Sequence, residues 1–200
     1  MSVNTTVAFP VAGGSVAPYA GSYQAHLNTA GVSAATLGAA MGVSEATLEA
    51  ANQGFNATNG SMISQTVHAV AGEYFNFRWN FVEQDYLPFD DWAFYGISLN
   101  GAPAAVSKFA SLGSVGPGNG STINVWEPLT VSITQTGDYT FFFGIVNVQD
   151  TALNSDLFID GADVGSTPIS PPVSPIPEPG NVVLLGLLMG GGACLRSRRR

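Results

Sequence analysis

From Tyr74 to Val82 the chain alternates strictly, with Phe75, Phe77, Trp79 and Phe81 on one side and Tyr74, Asn76, Arg78 and Asn80 on the other. Successive side chains of an extended strand point to opposite faces, so this segment buries one face and wets the other. A helix of the same sequence would scatter its four large aromatics around its axis. The period therefore predicts a half-buried strand, and such a strand needs a second layer over its aromatic face. Further strands are expected at Ser61–Val70, Trp92–Leu99, Ala104–Phe109, Thr122–Trp126, Leu129–Thr134, Tyr139–Val148 and Asp156–Asp160, with a loop over Gly113–Gly120. Asn100-Gly101, directly after Leu99, is a strong hairpin signal. Many short strands separated by turn residues predict a mainly β protein built as an antiparallel, jelly-roll-like β-sandwich.

The start of the chain reads differently. Residues 1–30 are rich in Gly, Ser, Ala and Thr without a clear period, and are expected to be irregular with at most one strand. Ser33 can cap a short helix that Gly42 ends, and Ser44 can cap a second that Gly54 ends, with Glu45 complementing the dipole of its first turn. Leu37, Met41, Val43 and Leu48 are the buried contacts expected of them. The sandwich then covers 31–165, a proline-rich linker 166–180, and an apolar helix with a basic end 181–200.

That end carries the strongest signal of destination. Pro177-Glu178-Pro179 precedes an uncharged apolar run from Val182 to Leu195, and Arg196, Arg198, Arg199 and Arg200 close it. Fourteen residues span roughly 21 Å as a helix, short of a hydrocarbon core of about 30 Å. Such a run is a weak permanent anchor, and the usual reading for its length is a buried core helix; the arginines that follow it argue instead for a membrane stop. The tripartite tail resembles the PEP-CTERM sorting signal, which exosortase recognises and removes in Gram-negative bacteria that secrete exopolysaccharide. The resemblance implies export, a transient inner-membrane anchor, exosortase as a partner, and release to the cell surface or a biofilm matrix. Export requires an N-terminal signal, yet Met1–Tyr23 holds no Lys or Arg, so a truncated N-terminus is expected, with the true start upstream or the signal segment lost.

Composition fits that destination. Residues 1–176 hold two cations, Arg78 and Lys108, against thirteen of the fourteen acids. Such a surface repels phosphate backbones, which excludes nucleic acid as a partner and favours neutral sugars or divalent cations. Cys194, the one cysteine, lies in the tail, so no disulfide staples the domain.

The body carries a second resemblance. Asn59-Gly60-Ser61, Phe77-Arg78-Trp79-Asn80-Phe81, Asp90-Asp91-Trp92-Ala93-Phe94, Gly137-Asp138-Tyr139-Thr140 and Leu157-Phe158-Ile159-Asp160 are similar to the jelly-roll ectodomains of PEP-CTERM proteins. It spans residues 55–163 at the level of pattern, with Asp90-Asp91 where such domains often have Asn-Asp. It implies a fold and adds little about activity.

Candidate chemistry is sparse. Two distant histidines, His26 and His68, supply neither a zinc site nor a triad, and no Gly-x-Ser-x-Gly elbow or phosphate-cradling loop occurs. Glu83, Asp85, Asp90 and Asp91 share one loop and offer the carboxylate pair that a glycosidase uses. The ordinary reading of such acids is a solvated loop, and a non-catalytic protein is expected. Calcium takes six to eight oxygen ligands and suits Asp90 and Asp91 together with Asn147, Asp150, Asp156 and Asp160, if the 149–155 turn lies beside the 83–91 loop. No cofactor is otherwise required. Tyr86 and Trp126 are the aromatics best placed to stack on a sugar, with exopolysaccharide the expected partner. The expected protein is an exported surface or matrix component; the rivals are a calcium-assisted carbohydrate-binding module and a glycan-degrading enzyme.

The sorting tail makes a direct prediction. Mass spectrometry of secreted protein should find chains ending near Pro177-Glu178-Pro179, and replacement of Glu178 or Pro179 should leave precursor in the membrane. Secreted chains that retain Arg200 would contradict it.

Overall fold

Two antiparallel sheets face each other across the aromatic stripe of residues 74–82. The computed structural model describes residues 2–5, 9–11, 14–111, 125–165 and 167–168. All belong to one compact unit, Met1–Ser170. Pro177-Glu178-Pro179, the apolar run, Arg196, Arg198, Arg199, Arg200, Gly113–Gly120 and all but two residues of the linker lie outside the described residues.

The first sheet runs in the order β1 (Ser2–Thr5), β4 (Tyr23–Asn28), β12 (Asp156–Val164), β7 (Tyr74–Val82), β10 (Glu127–Ser132), with β13 (Thr167–Pro168) paired to β12. The second runs β5 (Val32–Ser33), β6 (Ala57–Ala69), β11 (Gly137–Val148), β8 (Trp92–Leu99), β9 (Ala105–Ser111). A small ribbon pairs β2 (Phe9–Val11) with β3 (Gly14–Val16). From β6 to β7 to β8, and again from β9 through β10 and β11 to β12, the chain changes sheet at every step. The predicted strands at 74–82 and 92–99 match their observed limits. The hairpin forms at Asn100 and Gly101, both with positive φ (52° and 77°), as a tight turn between right-twisted strands requires.

The inter-sheet core is aromatic. Phe75, Phe77 and Phe81 are at most 2 % exposed and meet Phe141 and Phe143 of β11. The rings of Phe75 and Phe141 stack at 3.8 Å, and Phe77 meets Phe143 edge-on at 4.7 Å. β11 is buried on both faces from Phe141 onward except for its alternating polar start. Its outer side chains Phe142, Val146 and Val148 form a second core with Trp92 and Phe94.

Two short helices cover that second core. In α1 (Ala34–Ala40) the Ser33 hydroxyl accepts from the Thr36 N–H, and in α2 (Glu45–Ala50) the Ser44 hydroxyl accepts from the Thr47 N–H at 3.1 Å. Gly42 and Gly54 take the left-handed conformation that follows each helix (φ 72° and 79°). Leu37, Met41 and Leu48 pack onto the second sheet.

Among the described residues of 1–30 there is more strand than the single one expected: β1 and β4 extend the first sheet, and β2 pairs with β3. The signal in Tyr23–Asn28 was hidden because its buried side chains include Gln24 and His26, polar residues that find partners only in the fold. Of the expected Thr122–Trp126 strand, residues 122–124 lie outside the described residues, while Val125 and Trp126 form no strand.

Phe75→Ala should cost roughly 3–5 kcal/mol, because it removes a stacked ring and leaves a cavity where the two sheets meet. A urea midpoint unchanged from that of the parent would refute this packing.

Candidate functional site

The core-facing stripes end together at one edge of the sandwich, and there they turn polar. On β7 the stripe Phe77, Trp79, Phe81 continues at the same two-residue spacing to Glu83. On β11 Phe143 and Ile145 lead to Asn147; on β8 Ala93 is preceded by Asp91; on β12 Leu157 is preceded by Ser155. Strand alternation, carried one residue beyond the ends of β7, β8 and β12 and reaching Asn147 within β11, thus aims four polar side chains toward the space between the sheets.

Their hydrogen bonds are incomplete. Asp91 Oδ1 accepts from the Val148 N–H at 3.1 Å, and its Oδ2 accepts from the Ser155 hydroxyl at 2.7 Å. The same hydroxyl lies 3.1 Å from Glu83 Oε1. A hydroxyl has one proton and can donate to only one of the two carboxylates. Glu83 Oε1 also accepts from the Asp85 N–H at 2.9 Å. Glu83 Oε2, Asp85 Oδ2 and Asn147 Oδ1 are buried without a hydrogen-bond partner. Asp91 and Asn147 are 0 % exposed.

Burial, and secondarily the charge of Asp91, raises the Glu83 pKa to about 8. Burial also raises that of Asp91 to about 7, although hydrogen bonds from Ser155 and Val148 pull the other way. Neither described cation comes to their aid. Arg78 sits over Tyr19, and Lys108 donates to Asn52 and Ser111. As they stand, no three His, Cys, Asp or Glu side chains among the described residues are grouped to hold a metal ion.

The residues expected from sequence to bind calcium divide into several places. The 149–155 turn does lie beside the 83–91 loop: Asp91 accepts from Val148 and Ser155 at the two ends of that turn, and Asn147, next to Val148, donates to the Leu153 carbonyl within it. Asp90 is close enough for its charge to be felt by Glu83. Asp150 instead closes its own turn, accepting from the Ala152 N–H at 2.9 Å. Asp156 is engaged by His26 at 2.7 Å, by Asn28 and by Gln84. Asp160 accepts from the N–H groups of Ala20 and Gly161. Glu83 and Asp85 were not in that set, and extending the Phe77–Trp79–Phe81 period by one step is the signal that finds Glu83.

A second feature lies on the outer face of the first sheet. An open pocket of about 300 Å³ is lined by Tyr19, Asn76, Arg78, Thr130, Gly161 and Asp163, among others. Asn76 and Arg78 face it because Phe75 and Phe77 face the core. The Arg78 guanidinium lies 5.1 Å over the Tyr19 ring, a cation–π pair. Tyr19 in turn meets Trp126 edge-on at 6.2 Å, and the Trp126 indole N–H donates to the Ala17 carbonyl. Asn76 is held at both ends of its amide, donating to Asp163 at 2.9 Å and accepting from the Thr130 hydroxyl at 2.9 Å. Tyr86 is 62 % exposed on the 83–91 loop and meets Phe89 edge-on. His68 is exposed beside Asp138, and His26 stacks on Phe158.

No protein-family model and no curated protein matches the chain. Among solved structures it is similar to TmCBM61 in complex with β-1,4-galactotriose, at 11 % identity and a TM-score of 0.40, covering 73 % of this chain and 72 % of that one. A family 16 carbohydrate-binding module is similar at 15 % identity and a TM-score of 0.34, covering 75 % and 83 % respectively. A CBM4 structure is similar at 13 % identity and a TM-score of 0.32, covering 56 % and 76 %. Likeness at this level carries no functional inference.

The two raised carboxyls set a pH dependence. Native Glu83 and Asp91 hold protons that the unfolded chain has already released above its ordinary carboxylate pKa near 4. Stability therefore falls as pH rises from about 4 toward 8. Asp85 and Asp90 add like charge, and the His26–Asp156 pair lies next along β12. In the presence of chelator, the melting temperature should drop between pH 5 and 8, and Glu83→Gln should flatten that drop. A melting temperature that rises over this range would contradict the assignment.

Proposed function

We propose that this chain is an exported, non-catalytic β-sandwich with jelly-roll-like connectivity that holds extracellular polysaccharide in the pocket on its first sheet. The observation that carries the reading is the Arg78 guanidinium, stacked on Tyr19 and without a hydrogen-bond acceptor among the described residues, beside an Asn76 amide clamped by Asp163 and Thr130. Saccharides are bound by aromatic surface for their apolar faces and by fixed planar polar groups for their hydroxyls. Trp126 supports the platform by packing against Tyr19. The tail supports the same destination: Pro177-Glu178-Pro179, the apolar run and the terminal arginines suit an exosortase-type sorting route that ends at the surface or matrix. The carboxylate pair fits catalysis less well, because Asp91 is fully buried and offers a sugar no approach.

Affinity electrophoresis of the secreted protein through gels containing the producing cell's exopolysaccharide tests this. Retardation is expected, and Arg78→Ala or Tyr19→Ala should weaken it about tenfold, equivalent to roughly 1.4 kcal/mol. Retardation that persists unchanged in both variants would place binding elsewhere.

A further inference from the structure

We propose that the polar edge of the sandwich is a calcium site, with Glu83, Asp85, Asp91 and Asn147 supplying its oxygen ligands. The site shares no residue with the polysaccharide pocket and stands whether or not that pocket binds glycan.

Asn147 is the pointer. It is 0 % exposed, and its amide donates through Nδ2 to the Leu153 carbonyl at 2.9 Å, which fixes which end of the amide is oxygen. Turning the amide over would lose that bond and set its N–H₂ toward the cluster. Its Oδ1 is then an acceptor buried without a donor. It is aimed by strand alternation into the same inter-sheet space as Asp91 and Glu83, since Ile145 before it belongs to the inter-sheet core and Val146 and Val148 to the other. A buried acceptor without a partner costs free energy that the fold recovers only if something positive or protic reaches it.

Two other orphans lie nearby, Glu83 Oε2 and Asp85 Oδ2. A proton resolves the Glu83–Asp91 contact across Ser155, but one proton cannot serve Asn147 and Asp85 as well. As they stand no three of the carboxylates are grouped around one point, and a cation on which they close serves all of them. The candidate ligands are entirely oxygen, from carboxylates and an amide, which selects a hard ion. They come from three strand ends and a loop, an irregular set that suits the flexible coordination of calcium better than the strict octahedron of magnesium. The Ser155 hydroxyl, held between Glu83 and Asp91 in the described geometry, is a rotor that can turn its lone pairs to an incoming ion. Coordination draws together carboxylates that otherwise repel one another, and so accounts for a cluster of acids with neither Arg78 nor Lys108, the described Lys and Arg residues, beside it.

The experiment uses the secreted protein stripped with chelator at pH 7. Isothermal titration with calcium chloride should show one ion per chain. Millimolar calcium should raise the melting temperature by several degrees where sodium chloride of equal ionic strength does not. Asp91→Asn and Asp85→Asn should abolish both effects, and Asp160→Asn, in the middle of β12 and bonded to Ala20 and Gly161, should keep them. If Asp91→Asn fails to fold, Asp85→Asn, in a loop, still decides. Equal shifts with calcium and sodium would overturn the proposal and leave a shared proton as the neutralising group. Loss of binding in Asp160→Asn with retention in Asp85→Asn would also overturn it. Glycan retardation by chelator-stripped protein reports on the pocket separately.

Discussion

The contact between β7 and β11 across the sandwich holds the two sheets in one arrangement. Phe75, Phe77 and Phe81 come from one, Phe141 and Phe143 from the other, and ring stacking at 3.8 Å fixes how closely the layers approach. The domain has no disulfide available to it and few charges of opposite sign, so burial of these rings is its main source of stability. Because β7 has a two-residue period, placing its aromatics inside also places Asn76 and Arg78 outside. Core and pocket are two faces of one register.

The same register sets the price at the edge of the sandwich. An apolar stripe continued to its end would have closed the core with another hydrophobic residue on each strand; instead Glu83, Asp91, Asn147 and Ser155 occupy those places. Burial there raises both carboxyls, and the hydroxyl between them can satisfy only one. Polar groups kept in such a position are a strain on folding unless a ligand or proton completes them. The outer pocket is different in kind: its polar groups are solvated or mutually bonded, and it makes no comparable demand on stability.

Much of the sandwich was legible because its strands bury one face and wet the other. Tyr74–Val82 and Trp92–Leu99 could be read to the residue, and the helix limits followed from Ser33, Ser44, Gly42 and Gly54, whose side chains or backbone freedom act locally. Tyr23–Asn28 was not legible. Gln24 and His26 are buried there only because the Val16 carbonyl and Asp156 wait for them, 8 and 130 residues away in sequence. The acids show the same limit. Asp90, Asp91, Asn147, Asp150, Asp156 and Asp160 form one group by type and spacing, yet strand direction separates Asp91 and Asn147 from Asp156, and sends Asp160 to the Arg78 corner.

What the amino-acid order determined alone was everything carried by nearest neighbours: the period of the strands, the helix caps, the Asn100-Gly101 turn and the imbalance of charge. Only the tertiary structure decided which acids share a space. That choice depends on which strand ends lie side by side, and such pairing is settled by burial of side chains far apart in the chain, which no local pattern encodes. Tyr19 and Arg78 lie 59 positions apart by number and meet for the same reason.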